Sequence, residues 1–249
     1  MRRERSQEKC VPSDTRSGTL FIVGVPIGHP DDLTIRALSA LRQVDLIAAK
    51  NPQATRALLT HHGIQTVLTT YDRHNAVEKA PVLLERLKQG FHIALVSDCG
   101  MPAIYDPGKV LISAASKENL PIEVIPGPSV IVAAAALCGM DGDSFVFEGR
   151  WSGGLHNMTQ RLHSMRFESR TMIFLPPSRT LPHILSLMLI TFGNRRAVLA
   201  RDLTKATQKV VRGRVRTLLD GNVLHDSGSQ ITLIVEGMKR RGKRAGTAG

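Results

Sequence analysis

Hydrophobic positions fall into short continuous runs separated by longer stretches at helical spacing. Thr19 to Val25 is a continuous apolar run, the pattern of a strand buried on both faces. Leu33, Ala37, Leu38, Leu41 and Val44 then recur at the three-to-four spacing of a helix face. Asp45 to Ala49, Thr66 to Thr70, His92 to Ser97 and Ile122 to Ile125 predict further strands. Asn51-Pro52 predicts a helix start, with Asn as cap and Pro in the first turn, and Gly63 its end. Asn75 and Glu78 have the spacing of a capping box, with Gly90 closing that helix. Ser129 to Leu137 predicts a small apolar helix capped by Ser129.

Strand alternating with helix implies a parallel sheet covered on both faces. The pattern changes after Gly139, where Asp141 to Ser144 and Trp151 to Asn157 are turn-rich. Phe145 to Phe147 is apolar, and the later half predicts strands at Thr171 to Leu175, Ala197 to Ala200 and Ile231 to Val235. Helices are predicted near Gln160 to Arg166 and Leu181 to Phe192. The boundary between two α/β domains is placed at residues 139–144, giving domains over 18–140 and 141–238. Polar tails are expected at 1–17 and 239–249.

In an open α/β sheet, ligands bind beyond the carboxyl ends of the strands, so the loops there matter most. Gly24-Val25-Pro26-Ile27-Gly28 follows the first strand, and its glycines let a ligand approach the backbone. It fits neither a dinucleotide fingerprint nor a P-loop, since no Lys-Ser/Thr follows. Asp98-Cys99-Gly100-Met101-Pro102 with Asp106-Pro107-Gly108 fixes a costly backbone path, and Asp98 suits a cation or a ribose. Pro126-Gly127-Pro128-Ser129 precedes a helix whose first N–H groups suit a carboxylate or phosphate. A fourth set, Ala200 to Lys205 with Val211-Arg212-Gly213, offers cations for phosphates.

No Ser-His-Asp order and no metal-ligand pattern is present, and His61-His62 reads as an exposed helix end. The chemistry implied is binding and orientation. Charge sharpens this: Lys plus Arg exceed Asp plus Glu by 12, which points to a polyanionic partner. Aromatics are 4% of the chain, so charge and shape are better candidates for recognition than a base-stacking platform. Cys10, Cys99 and Cys138 form no disulfide framework or zinc pattern, and a cytoplasmic setting without a membrane span is expected.

Taken in order, the motifs resemble the tetrapyrrole-methylase superfamily, and within it the ribosomal RNA small-subunit methyltransferase I branch. They include Pro26-Ile27-Gly28, Leu33 to Leu38, Val44 to Ala49, Thr55-Arg56 and His74-Asn75. They continue through Val96-Ser97-Asp98, Asp106-Pro107-Gly108, Ile125 to Ser129, Phe147-Glu148-Gly149, Ala200 to Lys205, Val211-Arg212-Gly213 and Val235-Glu236-Gly237. The resemblance implies a parallel-sheet N-terminal domain and a smaller mixed-sheet C-terminal domain. It also implies a homodimer that holds S-adenosylmethionine in the cleft between domains. By position the donor would meet Pro26, Ile27, Asp98, Met101, Ile104, Ser129 and Val130, with backbone near Ala200 and Ile231. The acceptor would be a cytidine 2′-hydroxyl of small-subunit ribosomal RNA or the assembled subunit. Arg36, Lys50, Arg56, His74 and Arg179 are its candidate contacts, and Lys205 or Arg201 the candidate stabilisers of the developing alkoxide.

The chain departs from the branch at several places. Lys50-Asn51-Pro52-Gln53 stands for Glu-Asp-Thr-Arg, and Leu175 to Thr180 for Tyr-Glu-Ser-Pro-His-Arg. Gln208-Lys209 stands where acids are usual, Arg150 to Gly154 where a basic run is usual, and Met101 for a usual Thr. Two other readings follow: a small-molecule, tetrapyrrole-type methylase, or a paralogue that binds RNA or ribosomes without transferring methyl groups.

Overall fold

The computed structural model describes residues 17–104, 106–150, 154–221 and 228–239. Both expected tails lie almost wholly outside the described residues.

The first sheet holds β1 (Leu20–Val23), β2 (Leu46–Ala49), β3 (Leu68–Thr70), β4 (Ile93–Val96) and β5 (Ile122–Ile125). Their order is β3-β2-β4-β1-β5, all parallel. Of the three inner strands, β2 and β4 are buried at every position, which is why each reads as a plain apolar run. Side chains leave alternate faces. Val23, Ile47, Ala94 and Val96 pack against α1 (Ile35–Gln43) and α2 (Pro52–His61). Leu20, Leu46, Ala48, Ile93 and Leu95 pack against α3 (Ala76–Lys88) and α4 (Gly108–Lys117).

The second sheet holds β6 (Phe145–Gly149), β7 (Thr171–Phe174), β8 (Arg196–Arg201), β9 (Lys209–Arg214) and β10 (Ile231–Val235), in the order β6-β7-β10-β8-β9. Only β6 and β7 run parallel, so this sheet is mixed. One face carries α6 (Leu155–Ser164), α7 (Leu181–Phe192) and α8 (Val215–Asp220). The other is covered by α5 (Val130–Cys138): Ala134 and Cys138 pack with Ile173, Val198, Ala200 and Ile234. This core also takes Ile27 and Leu203, so it joins the two sheets. Among the described residues, no helix is long and apolar enough to cross a membrane.

Several local expectations need correction. Asn51 does cap α2, accepting from Gln53 and Ala54 N–H at 3.1 Å. Asn75 makes no side-chain cap bond; instead its Oδ1 accepts from Asp72 N–H at 2.9 Å while Asp72 accepts from His74 N–H at 2.8 Å. Asp72 and Asn75 thus accept from each other's backbone N–H, which draws the Asn75 carboxamide back from the helix it was expected to cap. Ser129 occupies the first position before α5 but its side chain makes no cap bond. Helix α6 begins at Leu155, inside the stretch read as turns. β9 and α8 answer to no predicted element. His61, exposed as expected, and the partly buried His62 do lie at the end of α2, and both are also tied down. His61 Nε2 lies 2.8 Å from Asp31 Oδ1, and His62 Nε2 lies 3.0 Å from the Pro30 carbonyl, tying α2 to the 3-10 turn Pro30–Asp32.

Candidate functional site

Because all five strands of the first sheet are parallel, their carboxyl ends share one edge. Along it stand the loops of His74 (after β3), Lys50 (β2), Asp98 (β4), Pro26 and Ile27 (β1), and Ser129 (β5). The last three, after β4, β1 and β5, close on one another. Val25 and Gly100 exchange backbone hydrogen bonds of 3.0 and 3.1 Å, and Gly24 N–H donates to the Ile125 carbonyl at 3.0 Å. A Cβ on Gly24 would lie 2.6 Å from Gly127 N and 2.6 Å from Met101 Sδ. One on Gly28 would run into the Leu203 carbonyl. These two glycines thus admit other parts of the protein, rather than the ligand anticipated from sequence. The second loop takes positive φ at Gly100 (73°) and at Ala103 (67°), a region in which a residue with a Cβ is strained. Asp106 Oδ1 holds that path by accepting from Gly108 N–H at 2.9 Å.

The second sheet meets this edge with its β6, β7 and β8 carboxyl ends and the start of β10. Its closest approach is the turn after β8. His29 N–H donates to Thr204 Oγ1 at 2.9 Å across the two lobes. Asp202 and Thr204 both adopt positive φ, 48° and 66°. The Asp202 carboxylate braces the turn, accepting from Gln230 N–H and Lys205 Nζ at 3.0 Å each and from Thr207 Oγ1 at 3.3 Å. Burial alone would raise its pKa, but the Gln230 N–H, Lys205 and Ser229 outweigh that and hold the carboxyl below its usual range. Gln208 Oε1 completes the brace by accepting from Thr204 N–H at 2.7 Å.

Charges gather where the lobes touch. Lys50 Nζ lies 3.1 Å from Asp98 Oδ2. The half-buried Cys99 thiol, 3.6 Å from the Ile27 carbonyl, has its pKa pushed up by burial; Lys205, Arg150 and Lys50 pull it back and Asp98 adds to the rise. The thiol thus feels the net positive charge of this part of the cleft. Beside it a cavity of about 340 Å³ is lined by Pro26, Thr55, Leu58, His61, Ser97 and Asp98, among others.

The family model of tetrapyrrole (corrin/porphyrin) methylases matches residues 19–219. The chain belongs to this family. Ribosomal RNA small subunit methyltransferase I of Thermotoga maritima is 36% identical over 220 residues, covering 88% of this chain and 99% of that protein. The protein of the same name from Pseudomonas aeruginosa is 37% identical over 215 residues, covering 86% and 76%. These likenesses place the chain in the ribosomal RNA small-subunit methyltransferase I branch. Among solved structures, diphthine synthase superposes with a TM-score of 0.66 at 16% identity, covering 88% of this chain and 90% of that one. The methyltransferase CobJ does so with 0.67 at 20% identity, covering 91% and 98%. At such identity they speak for the fold alone.

In this methylase, the sequence candidates divide by place. Pro26, Ile27, Asp98, Met101, Ser129, Val130 and Lys205 all border the junction of the three loops and the β8 turn. Ile104 is 51% exposed, further along the second loop. Ala200 faces α5, whereas strand alternation sends Arg201, 8% exposed, to the opposite face with Leu199. Ile231 pairs with Arg201 across the ladder, so only its backbone reaches the cleft end. Arg179 is exposed at that same end of the second sheet. Arg36 is paired with Glu123 at 2.7 Å and Arg56 reaches the Thr66 carbonyl at 3.5 Å, both away from the junction. His74 stands at the outer strand β3, against Arg73. Sequence reasoning missed Thr204, Gln208, Asp202 as a brace, and Cys99. A Lys-for-acid exchange at position 50 was the one signal pointing at Asp98, an acid one loop away.

Proposed function

We propose that this methylase transfers a methyl group from S-adenosylmethionine to the ribose 2′-hydroxyl of a cytidine in small-subunit ribosomal RNA. The observation that carries the reading is the pair of lysines at the cleft where the loops meet, Lys50 at 3.1 Å from Asp98 and Lys205 with its side chain against Gly28. A cationic rim suits a phosphate backbone, and an apolar, backbone-built floor suits the donor.

The residues present fit that donor. Pro26, Ile27, Met101 and Val130 supply apolar walls, and Asp98 is an acceptor for ribose hydroxyls. The start of α5 offers N–H groups that Ser129 leaves uncapped by its side chain, which suits a carboxylate. When bound, the donor supplies an already activated methyl group on a sulfonium, so the chain's task is alignment. A ribose hydroxyl is a poor nucleophile. Lys205, held in place by Asp202 at 3.0 Å, is positioned to stabilise the developing alkoxide; Arg201 faces the other side of its strand. The homodimer and the cytoplasmic setting belong to the same reading.

One observation favours a second reading, a paralogue that binds RNA without transfer: the Lys50–Asp98 pair occupies one oxygen of the carboxylate offered to the donor. Calorimetry with S-adenosylmethionine, followed by tritium transfer to isolated small subunits, separates the two. Donor binding with label in the RNA is expected; RNA binding without either would establish the second reading.

A further inference from the structure

The second sheet has two ends. One forms the cleft. At the other, β8 begins and β9 ends, and Arg196 lies directly across from Arg214 in the ladder. Like charges directly opposite in a sheet are destabilising. Both residues are exposed. The same corner gathers more cations. Arg195 works as an internal strut, donating to the carbonyls of Arg166 (2.6 Å), Phe192 (3.1 Å) and Glu236 (3.4 Å). It thereby fixes the turn after α6 and the segment after β10 beside the start of β8. Arg216 N–H is bound to Asn194 Oδ1 at 3.0 Å, and Arg214 donates to the Asn194 carbonyl at 2.8 Å. Lys239 lies 3.4 Å from Glu236, which also serves Arg196 at 3.8 Å.

The acids of this corner are already committed. Glu168 is held by Arg170 through two side-chain bonds of 2.7 and 2.8 Å, and Glu236 is shared between two cations. Asp141 and Asp143 stand at the other corner of this end, before β6. Cations thus exceed acids across the β10-β8-β9 side. Phe167 adds an aromatic surface: it is 70% exposed, with the Arg166 guanidinium 5.3 Å from its ring centre. Exposed guanidinium groups bind phosphates through paired donors, and an exposed ring gives an unpaired base a face to stack on. Neither feature is explained by the core.

We infer that this corner is a second RNA-docking surface, remote from the methyl-transfer cleft. It rests on the reading of RNA as substrate and adds a site to it. Arg196 and Arg201 bound the same strand, so five residues at about 3.3 Å each put the corner roughly 17 Å from the cleft end. The RNA held there is a different part of the molecule from the acceptor nucleotide. It sets the position and affinity of the complex and leaves the chemical step to the cleft.

The test compares the full chain with Arg196→Gln/Arg214→Gln/Arg216→Gln/Lys239→Gln and with a charge-matched control, Arg86→Gln/Lys88→Gln/Lys109→Gln/Lys117→Gln, on the exposed surface of α3 and α4. Each is titrated with transcribed small-subunit ribosomal RNA across salt concentrations, and assayed for methyl transfer. Each neutralised phosphate contributes about 0.7 to 0.9 to the slope of log K against log salt. The corner variant is expected to bind at least 10-fold more weakly, with that slope shallower by roughly two to three. Its donor affinity and its rate at saturating RNA should match the wild type. The pair Arg196→Gln/Arg214→Gln alone trades the repulsion between the two arginines against the Arg214–Asn194 and Arg196–Glu236 contacts, so it should melt close to the wild type; this guards against loss of fold. An unchanged slope, or an equal loss in the control, overturns the proposal while methyl transfer leaves the functional reading standing. Steep binding that depends on the corner without methyl transfer supports the surface and sinks the functional reading. Wild-type protein that binds no RNA overturns both.

Discussion

The floor of the cleft and its rim are held by different forces. The floor is backbone against backbone: Val25 pairs with Gly100, Gly24 with Ile125, and Gly24 lies against Gly127 too closely for a side chain. The rim is side chain against side chain, Lys50 with Asp98 and Lys205 with Asp202, with Lys50, Asp98 and Lys205 each about one-third exposed. A backbone-built surface cannot change shape without refolding, which suits a donor common to a whole family. A rim of long side chains can be exchanged residue by residue, and it is here that this chain departs from its branch. Donor use and acceptor choice are thereby separated physically.

Substitutions on each side test that separation. The largest effect is expected from Gly24→Ala, whose new Cβ meets the Gly127 backbone at 2.6 Å. It should cost about 2 kcal/mol of stability and abolish donor binding, read by thermal unfolding and calorimetry. A variant that keeps wild-type donor affinity would show the floor to be adaptable after all. Next comes Lys205→Ala, expected to lower kcat about 100-fold with donor affinity unchanged, measured in single turnovers on saturating subunits. If donor affinity fell in parallel, Lys205 would belong to the floor. Lys50→Glu, the branch residue, removes the pair with Asp98. It should raise the KM for RNA by about 10-fold through charge, while donor affinity moves only a few-fold. The smallest effect lies outside the cleft. Arg170 donates to Glu168 through its side chain and backbone and holds that carboxyl down to about 2, from 4.5. A depressed folded pKa adds stability above the unfolded value, lost as pH falls through the folded one. Glu168→Gln should therefore flatten the acid limb of the stability profile between pH 4.5 and about 2, and leave transfer at neutral pH untouched.

The first sheet was readable because its inner strands are buried on both faces and its helices carry ordinary stripes; β5 and α7 match their predicted bounds residue for residue. β9 was not. It is an edge strand with Lys209, Arg212 and Arg214 along it, and its apolar pair Val210-Val211 is too short to show a period. Caps failed where two Asx-type residues bind each other instead, as Asp72 and Asn75 do by each accepting from the other's backbone N–H. The loops of the site stood out through glycine and proline. What those glycines face was hidden, because Gly127 and Leu203 lie about a hundred residues or more along the chain from Gly24 and Gly28. Pairs such as Lys50–Asp98 depend on strand order, and strand order is not written in local pattern.

Helix α5 follows the last strand of the first sheet in the chain but lays its apolar side on the second, against Ile173, Val198, Ala200 and Ile234. During synthesis it therefore emerges before the sheet it covers. The segment from Gly139 to Val235 must still be made, which at 5 to 20 residues per second leaves Val130–Cys138 uncovered for roughly 5 to 20 seconds. A nascent chain of this protein exposes an oily helix throughout that interval, so chaperone capture and aggregation during production should concentrate there, and the first half expressed alone should be insoluble.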